Sequence, residues 1–204
     1  MKKQLILILF VVALNVSCRK TPDYDKLSVD FVVQTSKDPD ANFKNYKTFS
    51  IPDFIKLRTT NPNDTIWDDQ DAIKLLDQVS QNLISRGYTK VDLGANPDLG
   101  VTMTAIKDLN IGVIYPGWWW GYWGCYWGYC YYPPYYPWGA IYTIPTGTLI
   151  VDMIDLKDAG NEQKLVVKWG SVMSGGLGYT NDDIQLGIKA IDQSFVQSPY
   201  IQAN

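Results

Sequence analysis

TLIVDMIDLKDAGNEQKLVVKW, residues 148–169, reads as two strands around a turn. Leu149, Val151 and Met153 alternate with Ile150, Asp152 and Ile154. After Asp158-Ala159-Gly160-Asn161, Leu165, Val167 and Trp169 alternate with Val166 and Lys168. Side chains on a strand point to opposite faces in turn, so this pattern predicts a β-hairpin with a longer loop. A further half-buried strand precedes it, with Leu99, Val101, Met103 and Ala105 alternating with Gly100, Thr102 and Thr104.

Upstream, Leu27, Val29, Phe31 and Val33 recur with period two and suggest a first strand. The stretch 36–45 is a turn, Tyr46 to Ile51 a second strand, and 57–65 a loop. A helix is expected from near Thr65, with Asp68 as a capping acceptor. Ile73, Leu76, Val79 and Leu83 form its apolar stripe, and Arg86-Gly87 its stop. Tyr88 to Leu93 suggests a short strand. A last helix is expected from near Thr180, with Ile184, Ile188, Ile191 and Phe195 on one face and Ser198-Pro199 as its end. The order β-β-α-β-β, long loop, β-β-α predicts an α+β domain of two layers, a mostly antiparallel sheet under two amphipathic helices.

Residues 1–17 read as a lipoprotein signal peptide. Lys2 and Lys3 precede a ten-residue apolar run, Leu5 to Leu14, which is too short to span a bilayer. Ser17 then precedes Cys18. The arrangement resembles a lipobox, with Asn15 standing where a branched aliphatic residue is usual. Cleavage before Cys18 and acylation of its thiol would tether the chain to a leaflet. Residues 18–26 would be the lipidated tether and residues 27–200 a single domain. Arg19 lacks the acidic character linked to inner-membrane retention, which favours the outer membrane.

Without the leader the 18 basic residues fall to 16 against 21 acidic ones, a net charge of −5. That balance argues against nucleic acid as a partner. The chain has no histidine, which removes Ser-His-Asp and Cys-His arrangements. The cysteines beyond Cys18, Cys125 and Cys130, do not make a zinc set; in an exported protein they are a candidate disulfide. The SGGLG stretch at 174–178 lacks the Lys-Ser/Thr of a phosphate loop. Asp152 and Asp155, three apart on a strand, fall on opposite faces. Asp68, Asp69, Asp71, Asp182 and Asp183 stand where acids complement a helix dipole. Neither a catalytic residue, a metal site nor a cofactor is implied.

Residues 115–139, YPGWWWGYWGCYWGYCYYPPYYPWG, hold six of the eight tryptophans and eight of the fourteen tyrosines. Gly and Pro at this density exclude a regular helix and predict a long loop or irregular hairpin. Three readings are open: an internal minor core, a surface for a protein or membrane interface, or a platform for glycan. Loops of this length are usually functional. The candidate binding anchors are therefore Trp118, Trp119, Trp120, Trp123, Trp127 and Trp138.

In order along the chain, Asp40-Ala41-Asn42-Phe43, Tyr46-Lys47-Thr48-Phe49, Arg86-Gly87-Tyr88, Asn96-Pro97-Asp98-Leu99, Gly147-Thr148-Leu149-Ile150-Val151-Asp152 and Val167-Lys168-Trp169-Gly170 resemble the DUF4136 family of bacterial envelope lipoproteins. The resemblance spans about residues 28–199. It implies one α/β domain in the envelope of Gram-negative-type bacteria, of unknown function, with no assigned catalytic residues. The expected role is a lipid-anchored, non-enzymatic binding or scaffold module; the alternative is a hydrolase of envelope glycan or peptidoglycan acting through carboxylates.

Overall fold

A computed structural model describes residues 31–203, apart from residues 64, 110, 115, 116, 118, 121, 122, 140, 141 and 178–183. The leader, Cys18, the tether, Leu27, Val29, Trp118 and the expected start of the last helix therefore lie outside the described residues. The strands are β1 (Val32–Lys37), β2 (Thr48–Ser50), β3 (Ile55–Arg58), β4 (Ile66–Trp67), β5 (Thr89–Lys90), β6 (Leu99–Ile106), β7 (Ile111–Ile114), β8 (Pro134–Tyr135), β9 (Tyr142–Ile144), β10 (Thr148–Asp155) and β11 (Leu165–Ser174). The helices are α1 (Gln70–Ile84), α2 (Trp123–Tyr126), α3 (Ala159–Glu162) and α4 (Ile184–Val196).

The architecture is α+β around an open, mostly antiparallel sheet in the order β1-β11-β10-β6-β2-β5. β10 lies inside, antiparallel to both neighbours, with Asp152 opposite Thr102 of β6 and Gly170 of β11. β2 and β3 run parallel to β6 along its other edge, Ser50 opposite Gly100 and Leu57 opposite Ala105. The loop expected at 57–65 starts later: Leu57 and Arg58 belong to β3, a strand the sequence pattern does not announce, with Ile55 and Leu57 buried beside β6.

One sheet face receives the two long helices. Leu99, Val101, Met103 and Ala105 of β6, Leu149, Val151 and Met153 of β10, and Trp169 and Met173 of β11 pack against Leu75, Val79 and Leu83 of α1 and Ala190, Ile191 and Phe195 of α4. α1 begins later than the sequence pattern suggests, because Ile66 and Trp67 pair with β3. Its cap is Asp69 rather than Asp68: one carboxylate oxygen accepts the N–H groups of Asp71 and Ala72 at 2.9 and 3.1 Å, and the Trp67 indole N–H at 2.8 Å. Of the expected stripe, Leu76, Val79 and Leu83 are buried and Ile73 is 36% exposed; Ala72 and Leu75 complete the buried face. Asp192 of α4 accepts hydrogen bonds from Gln78 and Asn82 of α1, locking the two helices.

The hairpin departs from simple alternation at one point. Met153 faces Trp169, yet Ile154 faces Val167, so Lys168 is an extra residue in β11. This β-bulge reverses the faces on either side of it. Trp169 joins the helix-side core, while Leu165 and Val167 join Ile150, Ile154 and Val172 on the opposite face.

Gly187 of α4 lies tightly against α1 and the sheet. A Cβ there would lie 2.8 Å from Leu75 Cδ2 and 3.2 Å from the Gly176 carbonyl oxygen. Because backbone cannot yield as a flexible side chain does, Gly187→Ala is expected to destabilise the domain by about 1–3 kcal/mol. Urea unfolding checks this through a lower midpoint at unchanged slope.

Candidate functional site

The second face of the sheet carries the aromatic segment. β7 and β9 pair antiparallel and close the base of an irregular hairpin, Ile114 opposite Tyr142. Gly117 and Gly128, at φ +90° and +84°, supply the reversals that other residues resist. α2 is one turn long, and a disulfide joins Cys125 within it to Cys130 beyond it. Trp123 stacks on Phe54 at 5.4 Å, Tyr126 meets both rings edge-on, and Trp127 meets Tyr126 at 4.9 Å.

The sheet beneath is built to receive these rings. Gly100, Thr102 and Thr104 of β6 and Gly170 of β11 project little or nothing from this face. A Cβ on Gly100 would lie 2.9 Å from Trp127 Cε2, and one on Gly170 would lie 3.1 Å from Trp138 Cζ2. The Trp123 indole N–H donates to Thr104 Oγ1 at 3.3 Å. Trp119, Trp120, Trp123 and Trp127 are buried against Ile106, Ile150, Ile154 and Leu165. Arg58 of β3 ties the segment down by donating to the Trp119 carbonyl.

Asp152 stands in the middle of this layer, 2% exposed. Its Oδ2 accepts the Trp119 indole N–H and the Tyr136 hydroxyl, both at 2.8 Å. The other oxygen, Oδ1, has no hydrogen-bond partner among the described residues. Burial pushes the carboxyl up to about 6, against partial relief from Trp119 and Tyr136. The Trp120 indole N–H helps at longer range without closing a hydrogen bond.

At one end of the sheet the bulge places the Lys168 ammonium between two buried carboxylates. It lies 3.0 Å from Asp38 and 3.7 Å from Asp155. Asp155 also accepts the Tyr46 hydroxyl at 2.8 Å and the Asp158 N–H at 3.0 Å. Burial and the Asp155 charge both raise the Tyr46 hydroxyl above its ordinary value, so it remains a donor. A cleft of about 320 Å³ opens here, between this cluster, Glu162, Lys164 and Tyr135. A second cleft, of about 380 Å³, runs between the aromatic segment and the connection from β5 to β6, lined by Trp127, Tyr129, Leu93, Asn96, Asp98 and Lys157 among others. Among the described residues no group of His, Cys, Asp or Glu is placed to hold a metal ion, and no helix is long and apolar enough to cross a membrane.

A family model described as Domain of unknown function (DUF4136) matches residues 33–200. The chain belongs to the DUF4136 family. The crystal structure of a DUF4136 family protein from Bacteroides thetaiotaomicron VPI-5482 is similar, with 30% identity and a TM-score of 0.71 over 86% of this chain and 99% of that one. A PelC dodecamer from Paraburkholderia phytofirmans is a distant likeness, at 9% identity and a TM-score of 0.42 over 85% of this chain and 99% of that one. No curated protein matches the chain.

Within this DUF4136 domain the expected anchors have a different place. Trp119, Trp120, Trp123 and Trp127 are core residues and Trp138 is half-buried. The rings turn inward because the Gly and Thr positions leave a shallow sheet face that nothing else fills. Among the described residues of the segment, the large side chains that stand outside are Tyr131, 96% exposed, and Tyr135. Sequence reasoning missed Tyr136 as the second donor to Asp152, and Lys168 as a bulge residue. The only trace of the latter was a lysine in an otherwise apolar strand.

Asp152 makes the aromatic layer sensitive to pH. Below about pH 4 the folded and unfolded chains both hold its proton. Between about 4 and about 6 only the folded chain keeps it, so stability falls as pH rises, and above about 6 the loss is complete. The loss amounts to roughly 2–3 kcal/mol. Asp152→Asn keeps an acceptor for Trp119 and Tyr136 and does not titrate. Its melting temperature relative to wild type should therefore climb from pH 4 to pH 6.5; an offset constant across that range would refute the assignment.

Proposed function

We propose that this DUF4136 protein is lipid-anchored through Cys18 in the outer membrane, and that its domain is a non-enzymatic binding module contacting an envelope partner through the tip of the aromatic segment. The observation that carries the reading is the division of labour within residues 115–139. Among the described residues Trp119, Trp120, Trp123 and Trp127 are inside and Trp138 is half-buried, while Tyr131, next to the disulfide-bonded Cys130, stands almost fully in water. A tyrosine has an apolar body and a polar edge, and few rotamers to lose on binding. Fixed one residue beyond the disulfide-bonded Cys130, it meets a partner with little ordering left to do. Lys164 lies over the Tyr135 ring at 4.7 Å and steadies the flank of the tip.

The carboxylates favour binding over hydrolysis. Asp152 is sealed beneath indoles, and Asp38 and Asp155 are engaged by Lys168, Tyr46 and backbone N–H groups. Asp38 and Asp155 do line the cleft of about 320 Å³, but with Lys168, Tyr46 and backbone donors on their oxygens they serve there as structural anions.

Two outcomes are expected. A photo-crosslinking residue at position 131 in intact cells gives a discrete adduct, whereas the same residue at Lys74, on the exposed side of α1, gives none. Equal labelling at both positions, or none at 131, would remove the tip as a contact surface. Separately, Cys18→Ala moves the protein from the detergent phase to the aqueous phase on detergent partition, and unchanged partition would rule out the anchor.

A further inference from the structure

The cleft between the aromatic segment and the Leu93–Asp98 connection has the chemistry of a sugar site. Resting on the reading of the segment as a contact element, we propose that it binds one or two units of an uncharged saccharide. At about 380 Å³ it falls within the range of small-ligand sites, roughly 300–1,000 Å³. Its apolar lining is Trp127, Tyr129, Leu93, Pro97 and Leu156; its polar lining is Asn96, Asp98 and Lys157. A sugar ring is amphipathic in the same way, with a C–H face suited to an aromatic ring and hydroxyls that both donate and accept.

The lining is rigid before any ligand arrives. Tyr129 stacks on Tyr132 at 5.3 Å, its N–H donates to the Gly124 carbonyl at 2.7 Å, and its carbonyl accepts the Tyr132 N–H at 3.0 Å. Asn96 holds a left-handed backbone at φ 52°. Asp98 Oδ2 accepts the N–H groups of Lys47 and Thr48 at 2.7 and 3.2 Å, and the Asp98 carbonyl accepts those of Leu156 and Lys157. Trp127 is 4% exposed, its indole packed on β6 against Gly100, so the ring is fixed in place before a ligand arrives.

The charges choose among ligand classes. Asp98 Oδ1 and the Lys157 ammonium are 3.9 Å apart, so the lining carries one anion and one cation that offset each other. That favours an uncharged ligand over a phosphate or a polyamine. None of the lining residues belongs to a strand, so an extended peptide finds no ladder to join there.

The test uses the full chain in detergent, titrated with uncharged hexose and N-acetylhexosamine di- and trisaccharides by calorimetry and saturation-transfer NMR, with a hexuronate and a hexose phosphate as charged probes. An uncharged probe is expected to bind. Tyr129→Ala and Asn96→Gly, the latter keeping the left-handed backbone accessible, should each weaken binding by about tenfold or more. Tyr129→Phe, which retains the ring, should bind within about twofold of wild type. Near-ultraviolet circular dichroism establishes that each variant keeps the aromatic layer. Absence of binding by every uncharged probe, preference for the charged probes, or indifference to both Tyr129→Ala and Asn96→Gly overturns the proposal. If the adduct at position 131 persists while no saccharide binds, the cleft is excluded and the contact role of the tip stands; if that adduct is missing too, both fall.

Discussion

Every residue of β6 and of β10 is buried, so the sheet at the centre of this domain has no wet face there. That constraint governs the rest. Two long helices cover one side with aliphatic and aromatic side chains. The other side presents Ile150, Ile154 and Val172 around a trough of Gly100, Thr102, Thr104 and Gly170, and the aromatic segment supplies the volume missing there as indole rings. A run that looks like a surface decoration is a structural layer, and among its described residues Tyr131 and Tyr135, just past the disulfide, remain outside for contact. Burying each large ring is worth roughly 1.5–3 kcal/mol, so the inward arrangement outweighs any presentation of the tryptophans to water.

A buried polar group accompanies each end of this arrangement. Beneath the indoles, Asp152 holds Trp119 and Tyr136 in register at the expense of a carboxylate oxygen without a partner among the described residues. At the sheet end, the Lys168 bulge lets one ammonium serve Asp38 and Asp155 while changing which face the following strand residues occupy. Breaking either set leaves a desolvated charge, which is far more harmful than the intact set is helpful. Both therefore act to specify one arrangement of the layers.

The α+β class, the hairpin, both long helices and the family were legible because period-two and helical spacing survive in single stretches such as Leu149–Met153 and Leu76–Leu83. The first helix was placed too early because Ile66-Trp67 continues the apolar pattern while pairing with β3, a tertiary contact that no local rule contains. The bulge was illegible for the same reason: Leu165, Val167 and Trp169 alternate faultlessly, and only pairing with β10 reveals the inserted residue. The site was misread through Gly100, Thr102 and Thr104. Small and hydroxylated residues usually mark a solvated strand face. Here their smallness is a receiving surface, and the two signals, a shallow strand and a surplus of tryptophan, explain each other only when brought together in space.

Sheet and covers also divide the molecule into two chemically separate interiors. The helix-side and indole-side cores meet across a single backbone layer and share none of their buried side chains. Repacking on one side reaches the other through the shared strands, where side chains of the two cores alternate along β10. Such a partition lets the aromatic cover drift only as far as those strands keep their shape for the helical half.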